Sequence, residues 1–356
     1  MKPVVLPHHQ LRCFYRGGEN IADLRGTDGR DWYPEEWLAS TTPRFGETVD
    51  GLSALPDGQL LRDAIAADPD AWLGAEHVAA YGADPAVLVK LLDAGERLPV
   101  HVHPDREFAR RHLDCPYGKT EAWVVIKVEG EGPHVYLGFR EDVEAQALRK
   151  LVDTQDSQGF LDLMHKLPVA VGDTIVVPSG TPHATGAGVF VVELQEPSDF
   201  SILLEHAPFD IDGTNKGHLG IGFDLALEAM NRSAVDAVEI DTWRGFVDLD
   251  STGNAPQKTL ADIADPYFRA DLVRPGPPRS RPLGPEPSAT VPAGFGVVVV
   301  LDGSGELTGS KSGESIQVTA GDVLAVPHAA GDVTVTGGLG AVWSRPPAPD
   351  QAGVGR

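Results

Sequence analysis

The chain has 356 residues, about two to three times the ~100–200 of a common domain, with 42% hydrophobic and 23% charged residues, which excludes disorder of the whole. Its 52 acidic and 29 basic residues leave a formal charge of −23, a field that repels nucleic-acid backbones and anionic lipid heads, so neither is an expected partner. The two cysteines, Cys13 and Cys115, cannot build a disulfide framework, and no run approaches the ~18 apolar residues of a membrane span. The opening residues lack a secretion segment, so a cytoplasmic protein is expected.

With 40 Gly and 29 Pro, the composition predicts many turns and short strands. Residues 1–60 are turn-rich, anchored by Phe14, Tyr15, Trp32 and Trp37. A short helix is predicted over Leu60–Ala67, closed by an Asp-Pro-Asp turn. From Leu88 to Arg140, apolar runs between Gly and Pro predict strands. The period then changes: Val143, Ala147, Leu148, Leu151 and Val152 share a helical face, and 160–167 repeats the pattern, predicting a helical insertion over 141–167. Strands resume at 173–180, 188–196 and 200–205, and 223–230 is predicted as a short helix. The proline-rich stretch 274–292 looks like a linker, and 293–346 like a small all-β unit followed by a disordered tail, 347–356. The expected domains are therefore 1–240, a connecting segment 241–292, and 293–346.

Three segments carry the chemistry. In GERLPVHVHPD (95–105), His101 and His103 stand on the same face of a strand while Val102 points away, giving two imidazoles for a metal. In GKTEAWVV (118–125), Glu121 opens a further strand and can offer a carboxylate oxygen. In GDTIVVPSGTPHATG (172–186), the Gly172, Pro178 and Gly180 framing makes a tight corner that aims His183 toward a barrel interior.

Gly-x5-His-x-His followed by Gly-x5-Pro-x-Gly-x2-His is the motif pair of cupin barrels. The segments PVHVHPD, YGKTEAW, VYLGF, LPVAVGDTIVVPSGTPHA and ELQEPSD, in that order, resemble the type I mannose-6-phosphate isomerase family from about Trp37 to Met230. The resemblance implies a mainly β protein: a double-stranded β-helix with a helical insertion and a second, degenerate cupin-like β-domain. It implies one divalent metal, zinc in the family, on His101, His103, Glu121 and His183. His101 replaces the family's usual Gln, and the resulting three-His, one-carboxylate set also suits iron, manganese, nickel or cobalt. The implied reaction is aldose–ketose isomerisation of a small sugar or sugar phosphate through a cis-enediol. Glu193 matches the family's base, Lys119 faces the substrate, and Asp199 orients Glu193 or binds hydroxyls.

Two positions depart from the family. Leu203 stands where an arginine is expected ten residues after the base, and Pro99 where a serine is expected. Loss of the arginine removes a phosphate clamp, unless Arg140, Arg232 or Arg244 folds back to replace it. His112, His134, His206 and His218 have no partner pattern and are expected at the surface or behind the site. The unit 293–346 keeps Gly321 and Pro327 but no His-x-His, so His328 is expected to pack and not to ligate. The alternatives are another cupin enzyme, such as an oxygenase, or a metal-holding sugar-binding protein without turnover.

Overall fold

Short strands whose two faces are both apolar, or apolar on one face and charged on the other, stack the molecule into layers. The computed structural model describes residues 1–276 and 287–352. A seven-stranded antiparallel sheet runs in the order Arg244–Phe246, Asp173–Val177, Glu121–Val128, Val189–Gln195, Leu88–Ala94, Glu35–Leu38, Gln10–Leu11. A five-stranded sheet runs Ile202–Leu203, His101–Val102, His183–Thr185, His134–Phe139, Met164–Pro168. Their inner faces share one core, in which Leu92, Trp123, Val125 and Val191 meet Val135 and Leu137.

The outer faces are covered differently. Val102, Phe139, Ala184 and Ile202 on the five-stranded sheet pack under Leu148, Val152 and Phe160 of the helical insertion. The insertion is two helices, Ala145–Thr154 and Ser157–Leu163, not one run to residue 167. Gln155 breaks them by turning left-handed (φ 51°), and Met164–Pro168 leaves as a strand. On the far side, Val89, Ala122, Val124 and Val192 of the seven-stranded sheet face Val297, Val299, Ala325 and Val342 of a second sheet pair. Period-two alternation, read with both faces buried, thus makes the seven-stranded sheet the central wall of the molecule.

The second sheet pair has six strands (Val4–Val5, Val323–Val326, Gly296–Asp302, Gly340–Arg345, Arg269–Val273, Gln257–Lys258) and four strands (Ser288–Val291, Val333–Gly337, Ser304–Gly309, Ser315–Thr319) around its own aliphatic core. The opening strand of the chain pairs with Val323–Val326 and so belongs to this distant sheet.

Residues 277–286 of the proline-rich stretch and the last four residues of the chain lie outside the described residues. The rest of the tail is not disordered: Pro349–Gln351 forms a 3-10 turn, and Tyr81 donates a hydrogen bond to the Ala348 carbonyl at 3.2 Å. The Asp-Pro-Asp segment is the start of another helix, Pro69–Leu73, whose first turn Asp68 caps by accepting from the Ala71 N–H. No described helix is long and apolar enough to cross a membrane.

One buried ion pair joins the two halves. Arg25 meets the Glu36 carboxylate at 3.1 Å and donates to the carbonyl of Gly321 in the second barrel. Both side chains are almost wholly buried. Removing only the cation strands a buried carboxylate, so Arg25→Ala is expected to cost about 3–5 kcal/mol in chemical denaturation. A change under about 1 kcal/mol would show that the pair does not hold the halves together.

Candidate active site

Side-chain parity on the central wall decides what enters the first barrel. Ala122, Val124, Phe190, Val192 and Leu194 point out toward the second barrel. Their neighbours Glu121, Trp123, Glu193 and, one strand over, Lys90 point inward and line a cavity of about 740 Å³. The five-stranded sheet supplies the histidines, with His101 and His183 as register partners on adjacent strands. Their rings lie 4.1 Å apart, and His103 joins them at 4.9 Å from His101 and 4.8 Å from His183. Gly180 sits at φ +81°, a conformation glycine adopts without strain, and its N–H donates to the His103 carbonyl at 2.7 Å. The corner that carries His183 is thereby fastened to the strand that carries the other two.

Each histidine is oriented through Nδ1 against a backbone carbonyl: His101 to Pro99 at 2.8 Å, His103 to Phe200 at 2.6 Å, His183 to Thr181 at 2.9 Å. A carbonyl only accepts, so each Nδ1 carries the proton and each Nε2 presents a lone pair. The three imidazoles can present ligand atoms within 4.8 Å of one another, forming a cluster able to hold a metal ion. The carboxylate of Glu121 completes the arrangement, with one oxygen 3.0 Å from His103 Nε2 and the other 3.2 Å from His183 Nε2. His183 Nε2 is buried without a hydrogen-bond donor from the protein, so lone pairs of nitrogen and oxygen face each other at close range. A divalent cation is the species that such a donor set suits, and the carbonyl-anchored imidazoles are the usual outer support of a metal site.

Electrostatics agree with that geometry. Burial, reinforced by the neighbouring imidazoles, holds His101 well below the usual histidine range. Burial and the Lys119 ammonium bring His103 down to about 3. Burial alone would raise Glu121, but Lys119 and the histidines outweigh it and hold the carboxyl well below its usual range. All of these favour the deprotonated forms that ligate.

Beside this cluster lies a line of alternating charge. Lys119 Nζ is 2.8 Å from His103 Nε2, 2.9 Å from Glu121 and 3.9 Å from Glu193. Glu193 faces Lys90 across the strand pair. Burial pushes its carboxyl up to about 8, with Glu121 adding and Lys90 opposing. Lys90 is held 3.3 Å from Glu35 and 4.7 Å from the ring centre of Trp37. Glu35 also accepts from Tyr15 and, at 2.7 Å, from Trp37. Asp199 lines the same cavity and accepts the Phe45 N–H at 3.0 Å.

The structure thus gathers His101, His103, Glu121, His183, Lys119 and Glu193 together; His101, Lys119, Glu121, Glu193 and Asp199 line the cavity, and His103 and His183 stand behind them. Lys90 and Glu35 are additions that the sequence motifs did not bring out. Their one trace is a charged residue on the inward parity of its strand. Arg140, Arg232 and Arg244 do not fold back: Arg140 and Arg232 bond to the carbonyls of Asp162 and Val143, and none of the three lines the cavity. Arg12 and Arg44 line it instead. Of the cysteines, Cys13 lines the cavity, whereas Cys115 packs beneath the helical insertion. His112, His134, His206, His218 and His328 stay out of the cluster.

No protein-family model matches the chain. Mannose-6-phosphate isomerase of Streptococcus mutans is 39% identical over 131 residues, which is 36% of this chain and 40% of that protein. A mannose-6-phosphate isomerase of Bacillus subtilis is 34% identical over 113 residues, 32% of this chain and 34% of its own length. The matched stretches therefore span well under half of these relatives. In three dimensions the mannose 6-phosphate isomerase of Bacillus subtilis superposes with a TM-score of 0.72 at 22% identity, covering 97% of this chain and 100% of that one. A single-residue variant of phosphomannose isomerase from Salmonella typhimurium gives 0.69 at 15% identity, covering 97% and 100%. The chain is 34–39% identical to these two mannose-6-phosphate isomerases over about a third of its length and 25% identical to a putative one of Bacillus subtilis over 70% of it, and it has the mainly β, cupin-like fold of the solved structures over nearly all of it.

If the three imidazoles hold the ion, His103→Ala or His183→Ala loses stoichiometric metal while keeping the circular-dichroism spectrum of the parent. Metal analysis of the purified variants checks this, and full occupancy in either would exclude that histidine as a ligand.

Proposed function

We propose that this chain is a metal-dependent aldose–ketose isomerase of the mannose-6-phosphate isomerase kind, with a small sugar as substrate. The observation that carries the proposal is the meeting, at the floor of one cavity, of a buried three-imidazole cluster, open to it through His101 and Glu121, with a separate buried carboxyl, Glu193, flanked by two lysines. The similarity to proteins named mannose-6-phosphate isomerase supports it. His101, His103, Glu121 and His183 would hold the ion, and a nitrogen-rich set with one carboxylate suits zinc. When bound, a divalent ion supplies Lewis-acid polarisation of the sugar's C1 and C2 oxygens.

The chain's own groups do the remainder. Glu193 takes the proton from C2 and returns it to C1, the two halves of passage through a cis-enediol. A carboxyl held up at about 8 by burial can both accept and release a proton near neutrality. Lys119, fixed between His103, Glu121 and Glu193, is placed to donate a hydrogen bond to an oxygen that gains charge as the proton leaves. Lys90, locked by Glu35, keeps a positive charge beside Glu193 and stabilises it once ionised. Asp199 offers acceptor oxygens to hydroxyls on the cavity wall. Two unpaired cysteines, Cys13 and Cys115, fit a reducing compartment such as the cytoplasm.

Proton exchange at C2 of an aldose in D2O, followed by NMR, tests the proposal. The metal-loaded protein is expected to exchange it. Glu193→Gln should retain its metal and lose roughly 10²–10⁴ of the exchange rate. Unchanged exchange in that variant would remove Glu193 as the base.

A further inference from the structure

The cavity divides by depth. Its inner end holds His101, Lys119, Glu121 and Glu193, all buried. The group at the far end of a sugar from C1 and C2 must lie toward the rim. There the structure supplies no free basic clamp. Arg44 Nη1 is 3.3 Å from Asp50 and donates to the Arg12 carbonyl at 3.0 Å. Arg12 faces Asp210 at 3.8 Å. Glu47 and Asp212 add two further carboxylates, against the exposed ammonium of Lys216. The rim thus carries four carboxylates and three cations, and two of the three cations are already partnered. The wall between rim and floor is apolar at Leu203, the register partner of His101, and at Leu219.

A phosphate dianion brings acceptor oxygens and negative charge. Carboxylates bring the same, so phosphate at this rim meets like charge, and beyond the single ammonium of Lys216 it gains basic donors only by displacing Asp50 or Asp210. A hydroxyl donates as well as accepts, and paired carboxylates and guanidinium groups satisfy both of its roles. The apolar faces of Trp37, Trp123, Phe14 and Phe45 suit the C–H face of a sugar ring. The net charge of −23 further slows the approach of a dianion. We propose that the substrate of this site is an uncharged, unphosphorylated aldose, with Asp50 and Asp210 as the rim carboxylates that select against the phosphate ester. The inference rests on the isomerase reading above.

The test sets mannose, ribose and xylose each beside its own terminal phosphate ester, using metal-loaded protein and C2 proton exchange in D2O. In the pair that exchanges fastest, kcat/KM for the free sugar is expected to exceed that of the ester by about tenfold or more. The double substitution Asp50→Asn with Asp210→Asn releases Arg44 and Arg12 and is expected to narrow the preference by about tenfold. A wild-type preference for the ester overturns this inference and leaves the isomerase standing. An unchanged preference in the double variant overturns the role of the rim carboxylates. Absence of exchange with all six compounds at full metal loading overturns the isomerase, and this inference with it.

Discussion

Everything in the site depends on one wall. The central sheet is buried on both faces, and alternation along its strands sends aliphatic side chains to the second barrel and ionisable ones into the first. A one-residue slip in any of these strands would drive Glu121, Glu193 or Lys90 into an aliphatic core and empty the site of its chemistry. The second barrel is therefore more than an appendage. Its valine-rich sheet gives the outward residues a place to be buried, and so fixes the register that aims the inward ones.

Buried charge on this scale survives only where it is paired. The chain meets that condition by alternation of sign: Glu35 with Lys90, Lys119 with Glu121, and Glu193 between the two lysines. The exception is the gap among three imidazole nitrogens and Glu121, where every atom is an acceptor except where Lys119 reaches in. Electrostatically this is the one place in the network that a cation completes. The same rule extends outward to the rim, where arginines and aspartates neutralise one another and leave a surface suited to hydroxyl groups.

Similarity in sequence and similarity in fold carry different weight here. Identity above 30% with the isomerases of Streptococcus mutans and Bacillus subtilis is confined to about a third of the chain, whereas the fold is shared almost throughout. The acid-rich rim lies apart from the histidine cluster and the buried carboxyls at the floor, so the two ends of the cavity can vary independently. The floor of the cavity and its mouth answer to separate constraints: protonation state below, charge complementarity above.

The sequence by itself determined that His101, His103 and His183 come together. Spacing alone puts His101 and His103 on one face, and glycines that tolerate positive φ mark the corner that presents His183, because these are local consequences of strand pleat and turn geometry. It also located most of the strands around the motifs. Other features were decided by tertiary structure. The break at Gln155 came from the packing of two short helices on a sheet, and the docking of the tail from a distant tyrosine. Lys90 is the one basic residue of its strand, and its cross-strand neighbour Glu193 gives it meaning. Arg12 and Arg44 lie in the turn-rich opening segment, far in sequence from the motifs, and only chain closure brings them to the cavity with Asp210 and Asp50. Local spacing encodes which atoms can ligate. Which charges meet across the cavity depends also on pairings between distant parts of the chain, such as Lys90 with Glu193 and Arg12 with Asp210, and no periodicity records those.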